Sequence, residues 1–326
     1  MPKSSATAVA HPNIALIKYW GKREQMSNLP AVGSLSITLD ALRTRTTVTF
    51  DSSLKADRLI LNGAAAPAEQ PRLISCLDAL RALAGSQDSA LVESANDFPT
   101  GAGLASSASG YAALAVAGAA ALGLDPGDPR LEEVARIGSG SAPRSLFGGF
   151  VLLNNTPSGT QCSRLQAPED WPLQVVVAVT SETGKAVSSR DGMTDSQHTS
   201  PYYPAWVDSH EADLNQAQAF IAKRDFTGLA ELAEHNCLKM HAVMLTTRPA
   251  LIYWSPVTLA CMQKVQELRA GGVPVFFTID AGPQLKAVCL PAAAETVAKA
   301  LAAVPGVLRL IPGGLGQGAQ VLSTDG

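Results

Sequence analysis

Asn96-Asp-Phe-Pro-Thr-Gly-Ala-Gly-Leu-Ala-Ser-Ser-Ala-Ser-Gly-Tyr111 reads as a loop that turns into a helix. It lies between a β-like run at 90–94 and an Ala/Leu-rich helical run at 111–122. Gly101 and Gly103 can reach backbone angles closed to other residues, so successive N–H groups can converge on one point. The helix that follows adds the partial positive charge of its N-terminus, and Ser106, Ser107 and Ser109 place short hydroxyls on the same turn. The pattern is a phosphate cradle. No Gly-Lys-Ser/Thr closes it, so it is not a Walker A loop, and the spacing fails the dinucleotide pattern as well. A phosphate site without its own lysine must take cations from elsewhere in the chain. Alone, the loop reads equally well as a Gly/Ser turn capping a buried helix.

The chain around it has 326 residues, enough for a sizeable core and for about two domains. With 46% hydrophobic and 16% charged residues, its composition is that of a soluble globular enzyme. A net charge of −3, with no basic block or basic-aromatic stripe, argues against a nucleic-acid partner. No apolar run approaches the ~20 residues of a membrane span, and residues 1–10 hold no apolar signal core. Cys76, Cys162, Cys237, Cys261 and Cys289 are odd in number and form no Cys-x-x-Cys pair, so they read as buried thiols of a reduced, cytoplasmic protein.

Residues 14–17 form a short apolar strand, with Lys18, Lys22 and Arg23 close behind it, which aims positive charge at a pocket edge. Alternating runs at 34–39, 44–50 and 58–61, the last ended by an Asn62-Gly63 turn, read as one antiparallel sheet. Helical periodicity follows at 69–83. A short helix at 130–137 empties into Gly138-Ser-Gly-Ser-Ala-Pro-Arg-Ser145, a second Gly/Ser loop. It carries Arg144, whose planar fork pairs bidentately with carboxylate or phosphate. Residues 155–171 read as a polar surface connection, and a second domain begins at the apolar strand 173–179. Ser188, Ser189 and Arg190 offer another anion contact.

Three helices follow at 205–223, 226–244 and 256–270, whose His210, His235 and His241 lack zinc spacing. Strand 273–279 ends in Asp280-Ala-Gly-Pro283, a carboxylate held at a strand end where it can act as a base or bind a metal or a hydroxyl. Strand, helix and strand at 285–290, 291–304 and 306–311 complete a ferredoxin-like layer, so the fold class expected is α+β. The domains expected are residues 1–170 and 171–326.

Six stretches resemble the diphosphomevalonate decarboxylases of the GHMP kinase superfamily, spread over nearly the whole chain in the family's order. They are Asn13-Ile-Ala-Leu-Ile-Lys-Tyr-Trp-Gly-Lys-Arg23, Phe98-Pro-Thr-Gly-Ala-Gly-Leu-Ala-Ser-Ser-Ala-Ser109, Gly138-Ser-Gly-Ser-Ala-Pro-Arg-Ser145, Val187-Ser-Ser-Arg190, Met240-His241 and Phe277-Thr-Ile-Asp-Ala-Gly-Pro283. The resemblance implies a GHMP kinase fold: a ribosomal protein S5 domain 2-like N-terminal domain that binds ATP, a ferredoxin-like C-terminal domain, and the active site between them. It implies ATP-dependent decarboxylation of mevalonate 5-diphosphate by a homodimer.

On the family's pattern Asp280 orients or deprotonates the 3-hydroxyl, Lys18 stabilises charge near that oxygen, and Arg144 holds the substrate carboxylate. Tyr19, Lys22, Ser139, Ser141, Ser189 and Arg190 match the diphosphate contacts. Pro99, Gly101, Gly103, Leu104, Ala105, Ser106, Ser107 and Ser109 would wrap the ATP phosphates, with Ser107 near a Mg2+ held mainly through ATP. Pro143 stands where family members often carry Ser or Cys, and it biases Ala142 toward an extended shape. A sister decarboxylase of mevalonate 5-phosphate, a mevalonate 3-kinase, a GHMP kinase of other specificity and a non-catalytic nucleotide-binding protein remain alternatives.

Overall fold

The computed structural model describes residues 4–25, 27–98 and 105–325. The first sheet holds β1 (Ser4–Ala10), β6 (Thr44–Asp51), β7 (Arg58–Leu61), β8 (Ala64–Ala65), β9 (Ser89–Asn96) and β16 (Gln320–Asp325), in the order β16-β1-β6-β9-β7-β8. The second holds β2 (Asn13–Ile17), β5 (Ser34–Thr38), β10 (Phe150–Thr156) and β11 (Gly159–Gln166), ordered β11-β10-β5-β2. The third holds β12 (Gln174–Val179), β13 (Val275–Ile279), β14 (Leu285–Cys289) and β15 (Arg309–Gly314), ordered β13-β14-β12-β15. β3 (Lys22–Glu24) and β4 (Leu29–Pro30) make a small hairpin.

The first sheet packs on α1 (Gln70–Ala84), α2 (Ser106–Ala121) and α3 (Leu131–Gly138). α2 is built mostly of Ala, Gly and Ser and buried almost all round, because small side chains let its backbone approach the sheet and its neighbours closely. A Cβ on its Gly118 would lie 2.5 Å from Leu80 of α1. Between the second and third sheets, α6 (Tyr203–Lys223) and α7 (Phe226–Leu245) share one apolar core with both, including Ile14, Leu35, Phe150, Val175, Leu214, Leu229 and Phe276. α8 (Pro256–Ala270) and α9 (Ala294–Ala302) cover the far face of the third sheet. Pro256 opens α8 inside a capping box of Ser255 and Thr258.

The α+β class stands as read from the sequence. Three local expectations change, and one further stretch is helical. The runs at 34–39 and 44–50 fall in different sheets, and β7 pairs with β9 in parallel, because α1 carries the chain over as a crossover. The polar stretch after Asn155 contains β11, whose Gly-Thr-Gln-Cys-Ser-Arg-Leu-Gln sequence hides an edge strand with a largely exposed outer face. Residues 189–192 open α5 (Ser189–Thr199), with Ser188 as its cap. Ala142 is helical, since Pro143 falls in the first turn of a short helix, α4 (Ala142–Ser145), where its missing N–H costs nothing.

Candidate active site

On β13, Val275, Phe277 and Ile279 face the core under α8, while Phe276 and Thr278 face the second sheet. Asp280 follows at the strand's end. Thr278 Oγ1 donates to Ala15 O at 3.1 Å and so ties β13 to β2, the strand that delivers Lys18. Lys18 Nζ donates to Asp280 Oδ1 at 2.6 Å, and Lys286 Nζ from β14 lies 3.1 Å from Oδ2. Both lysines are 1% exposed, and the aspartate side chain is 26% exposed. Burial alone would raise the Asp280 carboxyl, but the two ammoniums outweigh it and hold the group well below the usual carboxylate range. The backbone of Lys18 is fixed from α7: its N–H donates to Asn236 Oδ1 at 2.7 Å, and Asn236 donates to Asp213, which also pairs with Lys239.

Arg144 is buried under different conditions. Its Nε donates to Ser36 Oγ at 3.1 Å and to Asn13 Oδ1 at 3.2 Å, Nη2 donates to Asn13 Oδ1 at 3.0 Å, and Nη1 donates to Ser34 Oγ. Asn13 is oriented by donating to Ser141 O and Ser145 Oγ. Among the described residues no carboxylate lies within ion-pair distance of this guanidinium, and burial lowers its affinity for its proton.

Both groups open onto one cavity of about 1100 Å3, also lined by Tyr19, Lys22, Ser106, Ser107, Ser139, Ser141, Lys185 and Arg190. Hydroxyls form a row across it, with Ser107 Oγ 3.2 Å from Ser139 Oγ and the latter 3.3 Å from Ser141 Oγ. Lys22 Nζ donates to Asn28 Oδ1 at 2.7 Å, and its pKa is pushed down to about 8 by burial first and then by Arg190 and Arg72. Cations that repel one another around a cavity form a ready anion site. The buried Tyr19 hydroxyl has no partner among the described residues. Glycine is required here, since a Cβ on Gly140 would lie 2.5 Å from that hydroxyl and one on Gly138 would run into the Tyr111 ring.

The sequence-derived residues Lys18, Tyr19, Lys22, Ser106, Ser107, Ser139, Ser141, Arg144, Ser189, Arg190 and Asp280 are thus brought together, with Ala105. Ala105 has φ +55°, a left-handed conformation costly for a residue with a Cβ, at the joint where loop becomes helix. Ser109 does not line the cavity: it is buried against β6, 2.6 Å from Thr44 Oγ1. Pro99, Gly101, Gly103 and Leu104 lie outside the described residues.

Residues not singled out from the sequence are Asn13, Ser34, Ser36, Lys185, Asn236 and Lys286. Lys185 Nζ donates to Ser189 Oγ at 2.7 Å and Ala281 O at 2.9 Å, tying the first residue of α5 to the Asp280 turn. Strand alternation was the signal for three of them: Ser34 and Ser36 alternate with Leu35 and Ile37 on one strand and so share a face, and Lys286 alternates with Leu285 and Ala287 on another.

Two family models match in tandem. Residues 10–164 fit the diphosphomevalonate decarboxylase-like N-terminal domain, and residues 175–309 the mevalonate 5-diphosphate decarboxylase C-terminal domain. The chain belongs to the diphosphomevalonate decarboxylase family. The human diphosphomevalonate decarboxylase is 39% identical over 93% of this chain and 80% of its own length. Among solved structures of the family, the Staphylococcus aureus mevalonate diphosphate decarboxylase superposes with a TM-score of 0.92 at 37% identity, covering 98% of each chain. The Enterococcus faecalis mevalonate diphosphate decarboxylase, studied for its mevalonate diphosphate-mediated ATP binding, gives 0.88 at 40% over 98% of this chain and 99% of that one. A structure of MDDEF in complex with MVAPP, AMPPCP and magnesium gives 0.90 at 41% identity over the same shares.

Proposed function

We propose that this chain converts mevalonate 5-diphosphate and ATP into isopentenyl diphosphate, CO2, ADP and phosphate. The observation that carries this reading is the pairing of opposites across one cavity. Arg144 is a buried cation with neutral partners only, and facing it is a carboxylate flanked by two lysines. A 3-hydroxy acid presents the matching groups, a carboxylate for the guanidinium and a tertiary alcohol for Asp280. A kinase of a simple alcohol would have no use for Arg144.

Bound ATP, with Mg2+, supplies the phosphoryl group that turns the tertiary hydroxyl into a leaving group. The residues fit such a reactant, since the α2 N-terminus, the row of hydroxyls and the unpartnered Tyr19 hydroxyl all face the cavity, with Ser107 as the chain's own oxygen toward Mg2+. Asp280, held ionised, accepts the substrate hydroxyl and orients its lone pair, while Lys18 offsets negative charge on that oxygen. Arg144 fixes the carboxylate so that the C–C bond to it breaks as phosphate departs from the neighbouring carbon. Tyr19, Lys22, Ser139, Ser141, Ser189 and Arg190 grip the diphosphate, whose charge relieves the repulsion around Lys22.

We place the division into an ATP-binding part (1–170) and a second part (171–326) where the chain leaves the first two sheets for β12. A cytoplasmic location goes with this reading on the strength of the unpaired cysteine pattern, and a homodimeric assembly on the strength of the family resemblance. No helix among the described residues is long and apolar enough to cross a membrane.

The test is one assay mixture of enzyme, ATP and Mg2+ divided among mevalonate, its 5-phosphate and its 5-diphosphate, scoring ADP and CO2. Equal amounts of both with the diphosphate alone are expected. ADP without CO2, or both products with the monophosphate alone, would move the protein to a kinase or to a sister decarboxylase.

A further inference from the structure

We propose that Lys286 is a positioning residue of this active site: from the floor of the third sheet it pins Oδ2 of Asp280 and adds a second buried positive charge behind the reacting centre. The inference deepens the functional reading above and rests on it.

On β14, Leu285, Ala287 and Cys289 point into the core under α8 and α9, so Lys286 and Val288 share the opposite face. That face is otherwise apolar or small at its centre: Lys286 pairs in register with Thr278 and Val177, and Val288 with Phe276 and Val175. A lysine here, 1% exposed, carries a desolvation cost that a methionine of similar length would avoid. Its ammonium ends at Asp280, 3.1 Å from Oδ2, and it does not itself line the cavity. It therefore acts through the carboxylate.

Asp280 already has a buried cation in Lys18, at 2.6 Å. A structural ion pair would need no more. The second lysine leaves the cluster with a net positive charge, which complements the polyanionic reactants that this cavity fits. Two ammoniums on two different oxygens also fix the plane of the carboxylate. Without Lys286, Asp280 can turn and take Lys18 with both oxygens, and its hold on a substrate hydroxyl is lost.

The other groups facing Asp280 are Lys185 from the loop before α5, Arg144 from α4, and His241 and Cys237 from α7. Burial pushes His241 down to about 3 and raises the Cys237 thiol, so near neutral pH both are uncharged. Burial brings Lys185 down to about 8, and it spends its donors on Ser189 and Ala281. Lys18 and Lys286 are thus the cations in contact with the carboxylate. Removing one must move the carboxyl upward, because the desolvation that opposes its charge remains.

The experiment compares wild type, Lys286→Met and Lys286→Arg in kcat, KM and the pH profile of kcat/KM. Alongside, the Asp280 carboxyl is titrated by carbon NMR in protein labelled at aspartate Cγ, its signal assigned by its loss in Asp280→Asn. For Lys286→Met the expected result is a fall in kcat of about tenfold or more with the KM for the diphosphate within about twofold. In wild type the Asp280 carboxyl stays ionised down to the lowest pH at which the protein is folded, whereas in Lys286→Met its titration and the acid limb move up toward the ordinary carboxylate range, and Lys286→Arg recovers part of each change. A Lys286→Met enzyme with unchanged kcat and unchanged titration overturns the proposal. If that variant does not fold, Lys286→Gln replaces it and the same two readings decide. The titration needs no turnover, so a wild type silent toward every substrate would sink the functional reading while the NMR comparison still judged Lys286.

Discussion

Two buried charged centres face each other across the cavity, and the protein treats them in opposite ways. At Asp280 charge is saturated from within, by one carboxylate and two ammoniums in contact. At Arg144 it is left open, with a full guanidinium held by an amide oxygen and two hydroxyls. A paired centre is already formed and can act on a neutral group such as an alcohol. An open one stores the desolvation cost of a cation and regains interaction when an anion arrives. The difference separates the site into a pole that handles the hydroxyl and a pole that receives the carboxylate.

The sharpest way to break the comparison is at the paired pole. Asp280→Asn is expected to lower kcat by about a thousandfold or more with the fold intact, because an amide cannot hold the two lysines or orient the hydroxyl as an anion does. ADP release and circular dichroism check it, and near-normal turnover would remove Asp280 from the mechanism. Next comes the open pole. Arg144→Ala should cost about a hundredfold or more in CO2 release while the protein still folds, since the hydrogen bonds lost to Asn13, Ser34 and Ser36 are offset in part by removal of a buried, unpaired charge. Arg144→Lys should rescue little, because a point charge cannot reproduce the fork.

Smaller effects sharpen it. Ser36→Ala, which loosens Arg144 without removing its charge, should lower kcat/KM by about tenfold, read by steady-state kinetics. Smallest is a pH effect at the rim. Lys22 is an ammonium below about pH 8 and loses its charge above it, so kcat/KM for the diphosphate should fall as pH rises through that value. Lys22→Met should flatten that limb.

How much of this was readable in the chain follows the same division. The phosphate loop, the Ser-Gly-Ser…Arg144 loop and Asp280-Ala-Gly-Pro283 announce themselves through local chemistry, because turns and strand ends demand glycine, proline and short polar residues. The supports of those groups do not. Asn13, Ser34 and Ser36 meet Arg144 from more than a hundred residues away in sequence, and only the pairing of β2, β5 and β10 brings them there. Lys286 sits in what reads as a plain apolar strand, where its period-2 position on the inner face was its one sign. β11 was hidden because an edge strand needs little hydrophobicity on its solvent side.

The measurement that bears most directly on the two-pole account is a calorimetric cycle. Binding of mevalonate 5-diphosphate and of its analogue lacking the carboxylate is measured for wild type and Arg144→Ala. The account predicts that losing the carboxylate weakens binding to wild type by about tenfold or more and to Arg144→Ala hardly at all. An equal loss in both proteins would mean that the carboxylate is received elsewhere and would contradict the assignment of Arg144.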